Sequence, residues 1–258
     1  MTTVAVLGLG EAGSAIARDL VAGGARVLGF DPVRATPAGV QGERDAGAAA
    51  AGADVVLSVN SANVALEVAE TVAPVLDRGA LFADFNTAAP ALKRVIADVI
   101  ADRGARFADV ALLRPVQQAG IRTPALASGT GAEHFAATFQ RVGMPVTTVG
   151  TAAGEAAARK LARSVFMKGL AAALGESLAA GERLGCKDWL RADIGATLAA
   201  ADARLLDRLE EGSRGHAARR VEEMAAAVAM LEELDVEPRL ASASEAWLRS
   251  LAGSEVPG

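Results

Sequence analysis

Residues 4–31 read VAVLGLGEAGSAIARDLVAGGARVLGFD, and the spacing inside this stretch decides the fold. A β-branched run from Val4 to Leu7 enters Gly8-Leu9-Gly10-Glu11-Ala12-Gly13. Ile16, Leu20 and Val21 follow with a helical period, Gly23-Gly24 stops the helix, and a second β run from Arg26 to Phe30 ends on Asp31. Strand, G-x-G-x-x-G, helix, strand and acid, in that order, form the dinucleotide-binding fingerprint. Gly8 permits the tight turn, Gly10 lets backbone N–H groups approach a pyrophosphate, and Gly13 lets the helix lie close on the strand. Leu9, Glu11 and Ala12 complete the turn, where a helix N-terminus favours the negative charge of phosphates. Asp31 is placed to accept hydrogen bonds from the adenosine ribose. It repels a 2′-phosphate and so favours NAD, whereas Arg34 can fold over that phosphate and favour NADP; the balance leans to NAD.

Composition narrows the class. The chain has 258 residues, 52% hydrophobic but only 3% aromatic, so one large or two modest domains must be built from Ala, Val and Leu. There is no Tyr, which removes one common catalytic acid and the Tyr/Lys pair of short-chain dehydrogenases. The single Cys186 excludes an internal disulfide and suggests a reducing compartment. Net charge is −5 without a basic stripe, so nucleic acid is not an expected partner. The first strand begins at once, leaving no room for a signal peptide, and no uncharged apolar run is long enough to cross a membrane. No metal-ligand spacing stands out. The cytoplasm is the expected compartment.

Beyond Asp31 the stretch from Pro32 to Gly42 reads as loop. Strands are expected at 54–59, 80–84, 106–112, 124–128 and 145–149, with helices from Asn60-Ser61 through Ala73 and from about Pro90 to Asp102. This alternation predicts an α/β Rossmann fold, a doubly wound and mostly parallel sheet, over residues 1–150. From Thr151 only helical periods appear, so residues 151–258 are expected to form an all-helical substrate and dimerisation domain. Its helices are expected at 152–184, 189–211 (capped by Asp188 and stopped by Gly212), 216–234, and from Ser242 with a capping box to Glu245. Gly169, Gly175 and Gly181 interrupt the first at six-residue intervals, at roughly 1 kcal/mol each against Ala. Close backbone packing is the natural offset, and an Ala-rich helical domain of this size buries more surface by pairing, so a homodimer is expected.

Ligands of a doubly wound sheet bind beyond the carboxyl ends of its strands. That singles out Gly8–Gly13, Asp31, Asn60, Asn86 with Thr87, and the segment after Leu112; Asn60, Asn86 and Thr87 can line the nicotinamide half of a cofactor or simply cap helices. Lys160, Ser164 and Lys168 fall at i, i+4 and i+8 with Arg163 beside them, on one face of an otherwise apolar helix. Lys160 lies one turn into that helix, where the two domains should meet. With no Tyr, and only His134 and His216 as imidazoles, it is the best-placed proton-transfer residue.

These motifs together resemble the β-hydroxyacid dehydrogenase family, which includes 6-phosphogluconate and 3-hydroxyisobutyrate dehydrogenases. Gly8-Leu9-Gly10-Glu11-Ala12-Gly13 is similar to that family's G-L-G-x-M-G, and Asp84-Phe85-Asn86-Thr87 with Pro90 to its D-x-S-T-x-x-P. Gly154 to Lys160 resembles its G-x-G-x-x-x-K, which puts Lys160 on the catalytic lysine. The departures mark a divergent branch. Ser164 stands where the family has Asn, Asp109-Val110-Ala111-Leu112-Leu113-Arg114-Pro115 replaces D-x-P-V-S-G-G, and Glu222-Glu223-Met224 replaces K-D-L. Arg114 and Gln117 lie in the loop replacing Ser-Gly-Gly, and His216 and Arg219 look like substitutes for the missing lysine. With Arg163 and Lys168 they are the candidate contacts to an acidic substrate, though neither 6-phosphogluconate nor 3-hydroxyisobutyrate is carried over.

The resemblance implies an NAD(P)-dependent oxidoreductase moving hydride between nicotinamide and a hydroxy-acid-like alcohol or its carbonyl, with Lys160 as general acid/base. Imine reduction on the same fold is the alternative within the enzyme class. A non-catalytic dinucleotide-binding protein is the alternative outside it, and in such a protein a lysine at the domain junction has no purpose.

Overall fold

Two β-branched segments flanking a glycine turn set the geometry of this computed structural model, which describes residues 2–253. Strand β1 (Thr3–Leu7) pairs in parallel with β2 (Arg26–Phe30), and α1 (Glu11–Ala22) makes the crossover. The pattern repeats through β3 (Gln41–Gly42), α2 (Ala46–Ala50), β4 (Val55–Ser58), α3 (Ala65–Val72), β5 (Leu81–Asp84), α4 (Pro90–Ala101) and β6 (Arg106–Leu112). It closes with β7 (Ala125–Ser128), α5 (Ala132–Gln140) and β8 (Val146–Thr148). The eight strands lie in the order β3-β2-β1-β4-β5-β6-β7-β8, and β6–β7 is the antiparallel pair. This is the doubly wound, mostly parallel sheet expected of the sequence.

Both faces are covered, which is why the central strands are near-continuous Val, Ala and Leu. On one face Ile16, Ala17 and Leu20 of α1 and Phe135 and Phe139 of α5 pack with Val116 and Ile121 from the β6–β7 connection. On the other, α2, α3 and α4 contribute Ala49, Ala69, Val72, Ile96 and Ile100. Aromatic packing is confined to a few contacts, such as Phe135 on Phe139 at 4.3 Å between ring centroids.

The chain divides into two compact units, Met1–Arg163 and Ser164–Gly258. The first runs past the expected boundary at residue 150 because the start of α6 (Glu155–Arg183) is tied to the sheet: the N–H groups of Ala156 and Ala157 donate to Ser128 Oγ and Asp109 Oδ2. In the second unit every described element is helical: the rest of α6, α7 (Lys187–Ala199), α8 (Ala203–Gly215), α9 (Ala217–Glu233) and α10 (Arg239–Ala252).

Several expected boundaries move, each for a local reason. The helix expected from 189 to 211 is two, because Asp202 turns its carboxylate onto the N–H of Leu205 and restarts the chain as α8, which then runs through Gly212. Its predecessor α7 begins at Lys187, so Asp188 lies in the first turn rather than at the cap. Ser242 caps nothing. The N-terminus of α10 lies three residues earlier, where Glu176 of α6 accepts from the N–H groups of Leu240 and Ala241 at 2.8 Å each. Asn60 and Ser61 precede a turn, and α3 starts only at Ala65. Helix α5 and the two-residue β3 lie outside the elements that the sequence pattern predicts. Of the spaced glycines, only Gly181 is closely packed, against Lys187 and Leu190; a Cβ on Gly169 or Gly175 would meet nothing within 4 Å.

Candidate functional site

The first part of the site is the turn between β1 and α1. Gly8 has φ +98°, and a Cβ there would sit 2.4 Å from the Val59 carbonyl oxygen. A Cβ on Gly13 would fall 1.9 Å from the Gly8 carbonyl oxygen. Gly10 is the opposite case, with nothing within 4 Å of its would-be Cβ, and no side chain caps α1. Two glycines therefore close the turn and the third keeps its backbone approachable from outside. This is a cradle that fits a pyrophosphate at a helix N-terminus.

Asp31 at the end of β2 fixes that cradle. Its Oδ2 accepts from the Leu9 N–H at 2.7 Å, and its Oδ1 from the N–H groups of Val33 and Arg34 at 2.8 Å each. Partial burial pushes the carboxyl up, but these three donors and the Arg34 guanidinium outweigh it and hold Asp31 below its ordinary value. Three acceptances leave room on Oδ2 for one further donor, such as a ribose hydroxyl.

The second part is a polar row across the carboxyl edge. Ser58, Asp84, Asp109 and Ser128 stand side by side on β4, β5, β6 and β7, all fully buried. Lys93 reaches them from α4, itself fully buried. Its Nζ donates to the Asp84 carbonyl oxygen at 3.0 Å and forms ion pairs with Asp84 Oδ2 at 2.9 Å and Asp109 Oδ1 at 3.0 Å. Burial pushes the Asp84 carboxyl up, against the pull of Lys93. The Asn86 amide donates to Asp84 Oδ1 and to Ser58 Oγ, while its buried Oδ1 accepts no hydrogen bond among the described residues. An amide oxygen in that position suits a ligand with an N–H or O–H group.

Lys160 completes the site from the first turns of α6. Its Nζ donates to Thr87 Oγ1 at 2.9 Å, and both side chains line a narrow crevice with Asn86, Ala88 and Asp109. Burial and the positive charge of Lys93 lower the proton affinity of Lys160, and Asp109 works against them. An amine held this way gives up its proton more readily than a free lysine.

A glycine cradle with an acid at the end of the next strand is the arrangement of a dinucleotide-binding fold, and the chain can be compared with known proteins on that basis. Residues 3–150 match the model of the NAD binding domain of 6-phosphogluconate dehydrogenase. The chain belongs to that family. Residues 182–251 match a domain of unknown function, DUF1932. An uncharacterised 28.5 kDa protein of Methanothermus fervidus is 28% identical over 171 residues, 66% of this chain, and the match spans 65% of that relative's length.

Among solved structures, a conserved hypothetical protein from Sinorhizobium meliloti 1021 is 30% identical with a TM-score of 0.64, covering 100% of this chain and 91% of its own. Another conserved protein of unknown function, described as structurally similar to 3-hydroxyacid dehydrogenases, is 26% identical with a TM-score of 0.63 and 97% coverage of both chains. An imine reductase from Myxococcus stipitatus, solved as a variant with NAD+, shares the fold at a TM-score of 0.83, 21% identity and coverage of 99% and 95%; the same organism's enzyme with NADP+ gives 0.83, 20%, 98% and 95%. Family and fold are those of NAD(P)-binding oxidoreductases.

Of the residues singled out in the sequence, the first unit brings together Lys160, Asn86 and Thr87, with Asn60 joined through its hydrogen bond to Ser58 Oγ at 3.2 Å. Arg163 donates to the Leu113 carbonyl oxygen at 3.3 Å, next to Arg114. Gln117 is exposed on a 3-10 turn that packs along α1. Ser164, Lys168, His216 and Arg219 belong to the second unit, where Lys168 is exposed and His216 occupies the junction of α8 and α9. Lys93 was missed. Its signal is a charge at the head of the apolar stripe Lys93, Ile96, Ile100, where a surface lysine has no place.

Asp31 supplies a pH test. Because its folded-state proton affinity is lowered, its contribution to stability is present above the ordinary carboxylate value near ~4 and is lost as pH falls through the folded value. Asp31→Ala is therefore expected to lower the urea midpoint at pH 7, with the gap to the parent closing under acid. A gap that stays constant or widens as pH falls contradicts the assignment.

Proposed function

We propose that this chain is an NAD(P)-dependent oxidoreductase acting on a hydroxy-acid-like alcohol or the corresponding carbonyl, with Lys160 moving the proton. The observation that carries the reading is Lys160 Nζ, lowered in proton affinity and held 2.9 Å from Thr87 Oγ1 at the carboxyl edge of the sheet. Nicotinamide, when bound, supplies or accepts the hydride at the substrate carbon. Gly8 to Gly13 would seat its pyrophosphate, Asp31 its adenosine ribose, and Asn60, Asn86 and Thr87 its nicotinamide end.

In oxidation the substrate hydroxyl loses its proton to the free amine of Lys160 as hydride leaves the carbon, and in reduction the ammonium returns it. Thr87 orients the amine by accepting one of its hydrogens. Ser164, one turn on, is proposed to hydrogen-bond the substrate oxygen. The exposed guanidiniums of Arg114 and Arg163 flank the loop after β6, which favours an acidic substrate. Lys168, Gln117, His216 and Arg219 remain candidate contacts. NAD is favoured over NADP by the Asp31 carboxylate, with Arg34 as the counterweight. The free Cys186 fits a reducing compartment such as the cytoplasm.

A panel of hydroxy acids, their carbonyls and cyclic imines, run with each cofactor, tests this by the absorbance of reduced nicotinamide. Turnover of a hydroxy acid or its carbonyl is expected, with NAD(H) preferred. Lys160→Met is expected to keep cofactor binding and lose on the order of 10²–10⁴ in kcat. Near-normal turnover by that variant removes the role of Lys160, and activity confined to imines overturns the substrate class.

Pairing of two chains through the helical unit is proposed as well. Among the described residues its core cluster holds three buried side chains, Ala180, Leu231 and Ala241, while Trp189 is 66% exposed and Trp247 53%. Apolar surface on that scale is covered more readily by another chain than by water. Light scattering at micromolar concentration is expected to return twice the chain mass; a monomer mass refutes the pairing.

A further inference from the structure

Lys93 has no place in the fingerprint or in the proton-transfer step, yet it is fully buried at the centre of the polar row. A surface lysine in α4 would have served the helix equally well, and burying an ammonium with two carboxylates is at best neutral for stability compared with apolar packing. The contacts point elsewhere. Lys93 Nζ holds Asp109 Oδ1 at 3.0 Å, the other oxygen of Asp109 accepts from the Ala157 N–H at 2.9 Å, and Ala157 lies one turn before Lys160 on α6. Ser128 supports the same turn, accepting from the Ala156 N–H at 3.0 Å. On its second side Lys93 grips Asp84, whose Oδ1 accepts from the Asn86 amide next to Thr87. One ammonium thus ties together the two segments that meet at Lys160.

We infer that Lys93 is a positioning residue for Lys160, holding the first turn of α6 through Asp109 and offsetting the negative charge buried beside the lysine amine. The inference rests on the reading of Lys160 as the proton-transfer group. The charged groups that face Lys160 from neighbouring elements are Lys93 of α4 and Asp109 of β6. On its own helix Arg159 is engaged with the Val149 carbonyl oxygen and Arg163 with that of Leu113. Lys93 and Asp109 therefore act on Lys160 with opposite sign.

The chain has four lysines, Lys93, Lys160, Lys168 and Lys187, so protein labelled with ¹³C at the lysine ε-carbon gives a spectrum that single Lys→Arg changes at 168 and 187 help assign. Titrating the Lys160 resonance needs neither cofactor nor substrate. Its midpoint is expected below the free-lysine value of about 10.4. Lys93→Met is expected to raise it by about one pH unit, a tenfold gain in proton affinity, Asp109→Asn to lower it, and the double variant to return close to the parent. Should Lys93→Met fail to fold, Asp109→Asn and the double variant decide by the same rule. A Lys160 midpoint indifferent to Asp109→Asn, or moved the same way by both single changes, overturns the inference. The kinetics of Lys160→Met test the proton-transfer role separately, so the two failures are distinguishable.

Discussion

The contact on which the site depends is the buried junction of Lys93 with Asp84 and Asp109. Asp84 ends β5 and Asp109 stands opposite it in the middle of β6, so the junction joins the two strands at the level where ligands of such sheets bind. Removing ions from water costs several kcal/mol apiece unless partners replace the lost solvation. Here the ammonium meets two carboxylates at ion-pair distance and donates to the Asp84 carbonyl oxygen. A junction of that kind tolerates little displacement, since removing one partner leaves a buried charge uncompensated. From this point hydrogen bonds lead to Asn86 on one side and to the start of α6 on the other.

The fold was largely legible because it follows from periodicity. Continuous β-branched runs gave the strands, the change at residue 150 from alternating elements to helices alone gave the architecture, and three glycines at fixed spacing gave the turn. What escaped depended on particular side-chain contacts, one long-range and one local. Glu176 caps α10 from sixty-four residues away, which no local capping box reveals. Asp202 breaks a helix whose apolar pattern runs on without interruption, because a side chain competed successfully for a backbone N–H.

The site was legible in the same uneven way. Lys160 and the Asn86-Thr87 pair stand out by position after strands or near a glycine entry, and the structure joins Lys160 to Thr87 directly. Lys93 did not stand out, because a lysine in a helix is ordinarily read as solvated; only its alignment with Ile96 and Ile100 betrays it. The position of Asp31 after β2 marks it as a ribose partner, and the structure adds that it already serves the turn by accepting from Leu9. One carboxylate can do both, since the backbone contacts leave an acceptor site open. The second unit is different in kind. Among the described residues few apolar side chains are buried in it, and exposed Trp, Leu and Met alternate with charge.

The claim at the centre is that the glycine turn and the Lys160–Thr87 crevice are two ends of one dinucleotide site. A crystal structure of the protein soaked with NADH tests it most directly. The expected result is density for the pyrophosphate against the backbone of Gly8 to Gly13, with the nicotinamide ring reaching the crevice lined by Asn86, Thr87 and Lys160. A dinucleotide seated elsewhere, or one whose nicotinamide end points away from Lys160, contradicts it.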